Sequence, residues 1–377
     1  MRKDCLAMVL VGGRGSRLDP ITQHTAKPAV PFGGKYKLID FVLSNLTNSG
    51  IDTAGIITQY EPHALMRYIE HGASWDLDII DGGVQFLTPY TSKSGDHWQK
   101  GTAHAIRQHF HFIEQNAPDH VIILPGDHIY KMDYNDMITA HKDSGTDITI
   151  GVFEPHDDRS RYGILSTDEK GYVKAFEEKP PYPKSPLASM GIYIFKMRAL
   201  KRILSDDLKE QFDFGKDIIP KALKANYQLK AFKFDGYFRD VGTIESLYQA
   251  NMDLILHPEY LKLSDEKHLP LYTKAGDFPP HHIRRRNAVK DALISDGCQI
   301  LGAITRSILS PNVSVGLDSL IKDSILHENV IVGDNCTLKN VIVMADTVIM
   351  KGTDIVFDDV TVVNNEMLWA LGADSDA

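Results

Sequence analysis

Residues 6–18 read LAMVLVGGRGSRL, an apolar run followed at once by a glycine-rich turn that contains two arginines. An uninterrupted aliphatic run of this kind is typical of a strand buried on both faces. Glycines allow the backbone to pass close to a ligand, and the N–H groups of such a turn bind anions. We therefore predict that Gly12, Gly13 and Gly15 bind phosphate groups, with Arg14 and Arg17 supplying positive charge.

This turn differs from two well-known glycine-rich phosphate loops. A Walker loop ends in Lys-Ser or Lys-Thr, and neither pair follows here. The dinucleotide-binding fingerprint has a different glycine spacing and does not require cationic residues. The turn therefore argues against a P-loop enzyme and against a dehydrogenase.

Around this turn, short apolar runs alternate with longer amphipathic ones through the first two thirds of the chain. The pattern predicts strands over residues 6–11, 53–58, 121–124 and 146–152, and helices over residues 39–49, 61–72 and 103–116. Alternation of strands and helices is typical of α/β folds with a parallel sheet. The predicted fold class is a doubly wound, Rossmann-like α/β domain.

After about residue 253 the pattern changes, because four prolines interrupt a polar stretch. Aliphatic residues then recur with a period of about six, which is typical of a parallel β-helix, although a β-sandwich with chance spacing is the alternative. The two series are Val330, Cys336, Ile342 and Val348, and Val332, Leu338, Met344 and Met350. We expect an α/β domain over 1–255, a proline-rich linker over 256–288 and a hexapeptide-repeat domain over 289–377.

The composition limits the possible classes of function. A formal net charge of −9 argues against nucleic acid or an anionic membrane surface as partner, so a phosphate-bearing ligand must be held by a few local cations. No stretch approaches the roughly 20 apolar residues of a membrane span. The three cysteines are far apart, which favours structural thiols in the cytoplasm.

Two further segments present a charged residue in a defined setting. In residues 26–31, AKPAVP, the prolines fix the backbone around Lys27, which favours a phosphate contact over a solvated lysine. In residues 124–128, LPGDH, Asp127 follows a buried strand, at the edge where open α/β sheets bind ligands. A carboxylate there suits magnesium bound together with nucleotide phosphates, and a helix cap is the alternative.

Three later segments combine polar groups with small or rigid residues. Residues 176–180 read FEEKP and residues 187–193 read LASMGIY, and both suit the hydroxyls and phosphate of a sugar phosphate. Residues 237–243 read YFRDVGT and place Asp240 beside a glycine turn. Asp240 is either a ligand-facing carboxylate or the partner of Arg239 in a salt bridge.

Taken together, these segments resemble bacterial ADP-glucose pyrophosphorylase. The glycine loop, AKPAVPFGGKY, GDHIYKMDY, EEKP, ASMGIY and RDVGT occur in this family in the same order. The resemblance runs from about residue 6 to residue 251, and the linker and tail resemble the family's C-terminal left-handed parallel β-helix. Related UDP- and dTDP-sugar enzymes share the glycine loop and an equivalent lysine, but FGGKY and GDHIYKMDY favour the ADP-glucose branch.

This resemblance implies a nucleotidyltransferase that makes ADP-glucose and pyrophosphate from ATP and glucose 1-phosphate, for glycogen synthesis. It implies Mg²⁺ as cofactor and a cytoplasmic homotetramer, or a heterotetramer with a related subunit. The implied site residues are Arg17 and Lys27 for the ATP phosphates, Asp127 and Asp240 for the metal, Gly101 and Thr102 near the base, and Gly163, Glu178, Lys179 and Ser189 for glucose 1-phosphate.

The chain departs from the family pattern in residues 98–105, WQKGTAHA, where Gln99 replaces a usual tyrosine and His104 a usual aspartate. These changes bear on nucleotide affinity. They also favour one alternative to the catalytic ADP-glucose enzyme, a regulatory, weakly catalytic subunit of a mixed tetramer. A second alternative, which does not depend on them, is a UDP- or dTDP-sugar pyrophosphorylase.

Overall fold

The computed structural model describes residues 3–89, 91–92, 95–96, 99–155, 158–205, 212–263, 267–284 and 288–373. Trp98 of the 98–105 segment lies outside the described residues. Within these ranges, no helix has both the length and the apolar character needed to cross a membrane.

The chain forms two compact units, and each is assembled from separate parts of the sequence. The first contains Met1–Gly13, Phe41–Phe238 and Glu266–Tyr272, so far as these ranges are described. The second contains Arg14–Asp40, Arg239–Asp265 and Thr273–Ala377, with the same restriction. The domain ranges expected above (1–255, 256–288 and 289–377) are continuous in sequence, whereas each compact unit combines several segments. Those domain ranges stay a prediction.

The α-helices are α1 (Leu38–Asn48), α2 (Pro62–Ile69), α3 (Thr102–Gln108), α4 (Phe110–Asn116), α5 (Tyr134–Ser144), α6 (Met197–Ser205), α7 (Ile219–Lys224), α8 (Ile244–Leu256) and α9 (Asn365–Ala373). The strands up to residue 240 are β1 (Cys5–Val11), β2 (Pro31–Phe32), β3 (Tyr36–Lys37), β4 (Thr53–Thr58), β5 (Gly83–Leu87), β6 (Thr91–Ser92), β7 (Gly95–Asp96), β8 (His120–Pro125), β9 (His128–Tyr130), β10 (Ile148–Phe153), β11 (Gly163–Thr167), β12 (Val173–Glu178), β13 (Ala188–Lys196), β14 (Leu229–Lys233) and β15 (Phe238–Asp240).

The remaining strands are β16 (His282–Ile283), β17 (Val289–Ile294), β18 (Gln299–Ile300), β19 (Ala303–Leu309), β20 (Ser314–Val315), β21 (Leu320–Lys322), β22 (Ile325–Leu326), β23 (Ile331–Val332), β24 (Thr337–Val343), β25 (Val348–Ile349) and β26 (Asp354–Val363).

A nine-stranded sheet organises the first unit. Its main path is β12-β11-β13-β8-β1-β4-β5, and β10 joins β13 to β14. Strands β8, β1 and β4 run parallel, as their buried aliphatic sequences predict, and β5 pairs in parallel with β4. Strand β13 runs antiparallel to both β8 and β10, so the sheet is mixed rather than wholly parallel.

The helix predicted over residues 103–116 is interrupted in the structure. Helix α3 ends at Gln108 and α4 begins at Phe110, with His109 between them at φ −101° and ψ 18°. Ile106 of α3 and Ile113 of α4 are both fully buried. The helical spacing of apolar residues continues across His109, so the sequence pattern gives no sign of the break between the two helices.

In the second unit, the chain after residue 281 winds into parallel coils. Strands β16, β18, β20, β23 and β25 form one parallel sheet, and β17, β19, β21, β22, β24 and β26 form another. The core between them is aliphatic, with Ile300, Val315, Val332 and Ile349 as successive rungs. Parallel pairing confirms a β-helix and excludes the β-sandwich alternative, whose sheets are antiparallel.

The coil repeat from Ile300 to Val315 is 15 residues, and the following repeats are 17 residues, as the stacked pairs Asn312 with Asn329 and Asn329 with Asp346 show. A period of six therefore falls out of step with each turn. Val330, Cys336 and Ile342 are buried, but Val348 is 46% exposed and Met350 is 72% exposed. The two series with a period of six therefore do not mark one continuous buried face.

Candidate active site

The glycine loop and Asp127 lie at the same edge of the sheet in the first unit. Strands β1 and β8 pair in parallel, with Leu10 opposite Pro125, and Gly126 N–H donates to the Leu10 carbonyl at 3.0 Å. The carboxyl ends of both strands therefore deliver Gly12 and Asp127 side by side. Edges of this kind bind ligands in open α/β sheets.

The Asp127 carboxylate is partly accessible, with 26% of its side chain exposed. His128 Nε2 lies 3.6 Å from Asp127 Oδ1. The His128 ring packs edge-on against Phe238, with ring centroids 5.2 Å apart. A carboxylate with an open side and a fixed neighbour can accept a cation or a polar ligand.

Lys27, Asp240 and Gly15 come together in the second unit. Lys27 is only 8% exposed, and its Nζ lies 3.5 Å from Asp240 Oδ1. The Thr22 hydroxyl donates to the Gly15 carbonyl at 2.9 Å, which fixes the loop beside the lysine. A buried ammonium held by a carboxylate is a fixed positive charge, as a phosphate contact requires.

Arg17 and Arg239 occupy different settings in that unit. Arg17 lies in a short 3₁₀ turn, Ser16–Leu18, and is exposed. Arg239 Nη2 bonds to Asp253 Oδ2 at 2.9 Å. The sequence left open a salt bridge between Arg239 and Asp240. In the structure, Lys27 is a partner of Asp240, and Asp253 is a partner of Arg239.

Glu178 is the centre of a second cluster in the first unit. Its strand β12 pairs with β11 so that Gly163 lies directly opposite Glu178. A Cβ on Gly163 would come within 2.9 Å of Glu178 Oε2, and a Cβ on Gly215 would clash with the same oxygen. The carboxylate therefore passes between two glycines, and neither position tolerates a side chain without rearrangement.

Burial raises the pKa of the Glu178 carboxyl, the neighbouring Lys179 ammonium opposes this shift, and the Asp213 carboxylate adds to it. Lys179 Nζ lies 3.7 Å from Glu178 Oε1, and 62% of the lysine side chain is exposed. Lys179 has φ +49° immediately before Pro180, a conformation that non-glycine residues rarely adopt. Such strain is concentrated at functional positions and here directs an accessible cation beside Glu178.

Ser189 joins this cluster through Tyr193. The serine side chain hydrogen-bonds the Tyr193 hydroxyl, and Glu178 and Asp213 lie close enough to influence the same phenol. Burial, above all, raises the pKa of Tyr193, so its hydroxyl stays protonated and can donate a hydrogen bond. The Ser189 hydroxyl oxygen also accepts from Gly191 N–H at 3.1 Å.

Asp213 ties Gly101 and Thr102 to the same region. The Thr102 hydroxyl donates to Asp213 Oδ2 at 2.9 Å, and Phe214 N–H donates to Thr102 Oγ1 at 3.0 Å. A Cβ on Gly101 would lie 2.5 Å from the Phe212 carbonyl oxygen, so only glycine allows this close approach. Helix α3 is thereby anchored to the 212–218 segment.

The sequence motifs missed three members of this cluster: Tyr193, Asp213 and Gly215. Tyr193 lay within the quoted ASMGIY segment but was not assigned a role. Asp213 and Gly215 belong to residues 212–217, FDFGKD, in which an aspartate precedes a glycine by two positions. That spacing is a signal for an aspartate that caps a tight turn, and Asp213 does accept from Lys216 N–H.

The structure thus groups Gly12, Gly13 and Asp127 at one sheet edge, and Gly101, Thr102, Gly163, Glu178, Lys179 and Ser189 around Asp213 and Tyr193. It groups Gly15, Lys27 and Asp240 in the second unit. The substrate and metal roles of all these residues stay predictions.

The chain is similar to known proteins along nearly its whole length. The nucleotidyl transferase family model matches residues 6–256, and the model of the GlmU-like C-terminal hexapeptide region matches residues 276–364. The expected combination of an α/β nucleotidyltransferase domain with a C-terminal left-handed β-helix is confirmed.

Three curated relatives carry the same name. The chain is 51% identical to the glucose-1-phosphate adenylyltransferase of Clostridium acetobutylicum, with 85% of each chain covered. It is 47% identical to that of Desulforamulus reducens, with 92% of this chain and 88% of the relative covered. It is 46% identical to that of Bacillus thuringiensis, with 93% and 94% covered.

Proposed function

The chain belongs to the glucose-1-phosphate adenylyltransferase family, and from this premise we propose that it makes ADP-glucose and pyrophosphate from ATP and glucose 1-phosphate. The observation that carries the proposal is the match to relatives of this name over 85% or more of both chains. The names of the relatives favour this reaction over one that uses a uridine or thymidine triphosphate. They also favour a catalytic role over that of a regulatory subunit. ADP-glucose is a glucosyl donor, so the product would serve glycogen synthesis.

The proposed reaction needs no covalent enzyme intermediate. A phosphate oxygen of glucose 1-phosphate forms a bond to the α-phosphorus of ATP, and the bond from that phosphorus to the β-phosphate oxygen breaks. Pyrophosphate leaves with the electron pair of that bond. Both reactants are anions that repel each other, so the protein contributes mainly positioning and charge neutralisation.

We assign Gly12, Gly13, Gly15, Arg17 and Lys27 to the triphosphate. The burial of Lys27 and its contact with Asp240 support a fixed charge there. We assign Lys179 to the phosphate of glucose 1-phosphate, because its ammonium is accessible and its backbone is held in a strained conformation.

Glu178, Ser189 and Gly163 complete the proposed sugar phosphate subsite. The Glu178 carboxylate and the Ser189–Tyr193 pair offer an acceptor and donors that suit sugar hydroxyls. Gly163 leaves the space that the Glu178 carboxylate needs.

Nucleotidyltransferases of this kind use a divalent metal, and we propose Mg²⁺ held by Asp127 and Asp240. Within the described residues, no group of three or more His, Cys, Asp or Glu side chains is placed to hold a metal by itself. The two carboxylates of Asp127 and Asp240 fit magnesium, which binds one or two carboxylates together with substrate phosphates. When bound, the metal would neutralise charge on the triphosphate.

We also propose that the protein works in the cytoplasm as a homotetramer, or as a heterotetramer with a related subunit. The widely separated cysteines support a reducing compartment, and the described thiols are unpaired. Size-exclusion chromatography with light scattering tests the assembly. A monomeric mass at working concentration contradicts the tetramer.

Product analysis tests the proposed reaction. The purified chain, incubated with ATP, glucose 1-phosphate and Mg²⁺, should form ADP-glucose and pyrophosphate in equal amounts, identified by mass spectrometry. A product that carries another nucleotide when all common triphosphates are supplied contradicts the adenine assignment. Formation of ADP-glucose only after a related subunit is added favours the regulatory subunit instead.

A further inference from the structure

The side chain of Gln99 lies against the glycine loop in the first unit. A Cβ built on Gly12 would lie 3.2 Å from Gln99 Oε1 and 3.4 Å from the Cβ of Gln59. Gln59 Nε2 donates to the Gln99 carbonyl at 3.3 Å, so the backbone of Gln99 is fixed as well. The Gln99 amide therefore packs beside a loop that our proposed function assigns to the nucleotide.

One atom of this amide is buried without a partner. Gln99 is 9% exposed, and its Nε2 makes no hydrogen bond in the part of the chain that the structure describes. Native proteins leave few buried polar atoms unsatisfied, because water can no longer reach them. An acceptor on a ligand bound at the neighbouring loop would satisfy this donor.

The chemistry of the amide favours the base over the phosphates. A neutral primary amide adds no charge for a polyanion, whereas the loop sequence already provides Arg14 and Arg17 for that purpose. The same amide matches an adenine edge, where a ring nitrogen accepts a hydrogen bond beside an amino group that donates one.

Building on the proposed function, we propose that Gln99 Nε2 donates a hydrogen bond to a ring nitrogen of the adenine of ATP. Gln99 is then a specificity-determining residue for the base of the nucleotide. The neighbouring loop glycine, Gly12, leaves room for the amide beside the nucleotide.

Kinetics with base analogues test this contact. The Gln99→Met variant keeps the length of the side chain and loses the amide, and should raise KM for ATP about three- to tenfold. KM for glucose 1-phosphate should stay unchanged. With the wild-type protein, one of the three analogues 1-deaza-, 3-deaza- and 7-deaza-ATP should have a KM that is higher than the KM for ATP by the same factor. With Gln99→Met, the KM for that analogue should rise no further.

Gln85→Met is the matched control, because Gln85 is exposed on strand β5 of the same unit and should behave as wild type. Thermal unfolding without ligand adds a second readout. Gln99→Met should not lower the melting temperature, since it removes a donor that lacks a partner in the free protein. It should reduce the rise in melting temperature that ATP produces.

Three results would overturn the contact. One is an unchanged KM for ATP in Gln99→Met. Another is an equal KM for ATP and all three deaza analogues in the wild-type protein. The third is an equal rise in KM for ATP, UTP and dTTP, which would place the amide on ribose or phosphate. A wild-type protein that makes no ADP-glucose contradicts the proposed function instead.

Discussion

Asp127 combines an accessible carboxylate with a rigid position at the end of strand β8. Asp127→Asn keeps the shape and removes the charge, so we expect kcat to fall by about a thousandfold or more. The melting temperature should stay close to that of the wild-type protein, because the carboxylate is not part of the aliphatic core. A variant that retains wild-type turnover refutes the metal role of Asp127.

Lys174 lies on strand β12 and Lys179 directly follows that strand, so substitutions of the two lysines can be compared as a matched pair. Their side chains are exposed to a similar degree, 62% and 61%, and each lies near a carboxylate. Lys179→Ala should raise KM for glucose 1-phosphate about 10- to 100-fold, since a charge-assisted contact to the phosphate is lost. KM for ATP should change little.

Lys174→Ala removes an equally exposed charge whose partner is Asp168. It should leave both Michaelis constants as they are in the wild-type protein. Equal effects of the two substitutions would show that general surface charge, and not a site at Lys179, controls binding of the sugar phosphate.

The Glu178 carboxyl predicts a pH dependence of stability. Burial raises its pKa above the ordinary value of 4.5, so between 4.5 and the raised pKa the folded state binds more protons than the unfolded state. The contribution of Glu178 to the free energy of unfolding therefore falls as pH rises through this window. Glu178→Gln removes this effect.

Melting temperatures of Glu178→Gln and the wild-type protein, measured from about pH 4 to pH 8, check the sign. The difference between variant and wild type should grow in favour of the variant as pH rises. A difference that is constant with pH, or that shrinks, contradicts a raised pKa. Lower activity of the same variant is expected from its place beside the proposed sugar subsite.

At the scale of elements, the coils of the β-helix are joined by a ladder of side chains in left-handed backbone positions. Asn312 Nδ2 donates to Asn329 Oδ1 at 2.8 Å, and Asn329 Nδ2 donates to Asp346 Oδ1 at 2.9 Å. All three residues have φ near +60°. Asparagine and aspartate adopt this conformation at lower cost than most other residues.

Asn329→Ala removes two ladder bonds and places alanine at a left-handed position. We expect the free energy of unfolding to fall by about 1–3 kcal/mol, as measured with urea. Asn329→Gly loses the same bonds without the backbone penalty and should be less destabilised. Equal stability of the two variants would show that the backbone conformation at Asn329 contributes nothing.

Element prediction from the sequence succeeded where burial on both faces gives a clear pattern. Strands β1, β4 and β8 follow the aliphatic runs to within one residue at each end. The break at His109 was not predictable in this way, because Ile106 and Ile113 stay buried on both sides of it. The exposure of Val348 and Met350 does not follow from a period of six, because that period falls out of step with the 17-residue coils.

The sequence predicted those residues of the candidate site that lie in segments with a recognisable local pattern. Asp127 follows a strand, and Lys27 is followed by two prolines, Pro28 and Pro31. Asp213 and Gly215 act through contacts with Thr102 and Glu178, which are distant in sequence. Such contacts depend on which strands and loops the fold brings together, and no local pattern encodes them.

At the scale of the whole molecule, the compact units do not follow the order of the chain. Residues 14–40, which carry Lys27, pack in the second unit with helix α8 and the β-helix coils. Within that unit, Gly33 N–H donates to Asn251 Oδ1 at 2.9 Å, and the Tyr248 hydroxyl donates to the Asp323 carbonyl at 2.9 Å. Gly33, in the segment that follows the glycine loop, is thus held by a residue 218 positions later in the sequence.

The central claim is that this chain by itself joins adenylate to glucose 1-phosphate. Pyrophosphate release by the purified chain, with Mg²⁺ and glucose 1-phosphate, tests it most directly when ATP, UTP and dTTP are compared side by side. We predict release with ATP that exceeds release with either of the other two by at least about tenfold. Equal or greater release with UTP or dTTP, or no release with any of the three, would contradict the claim.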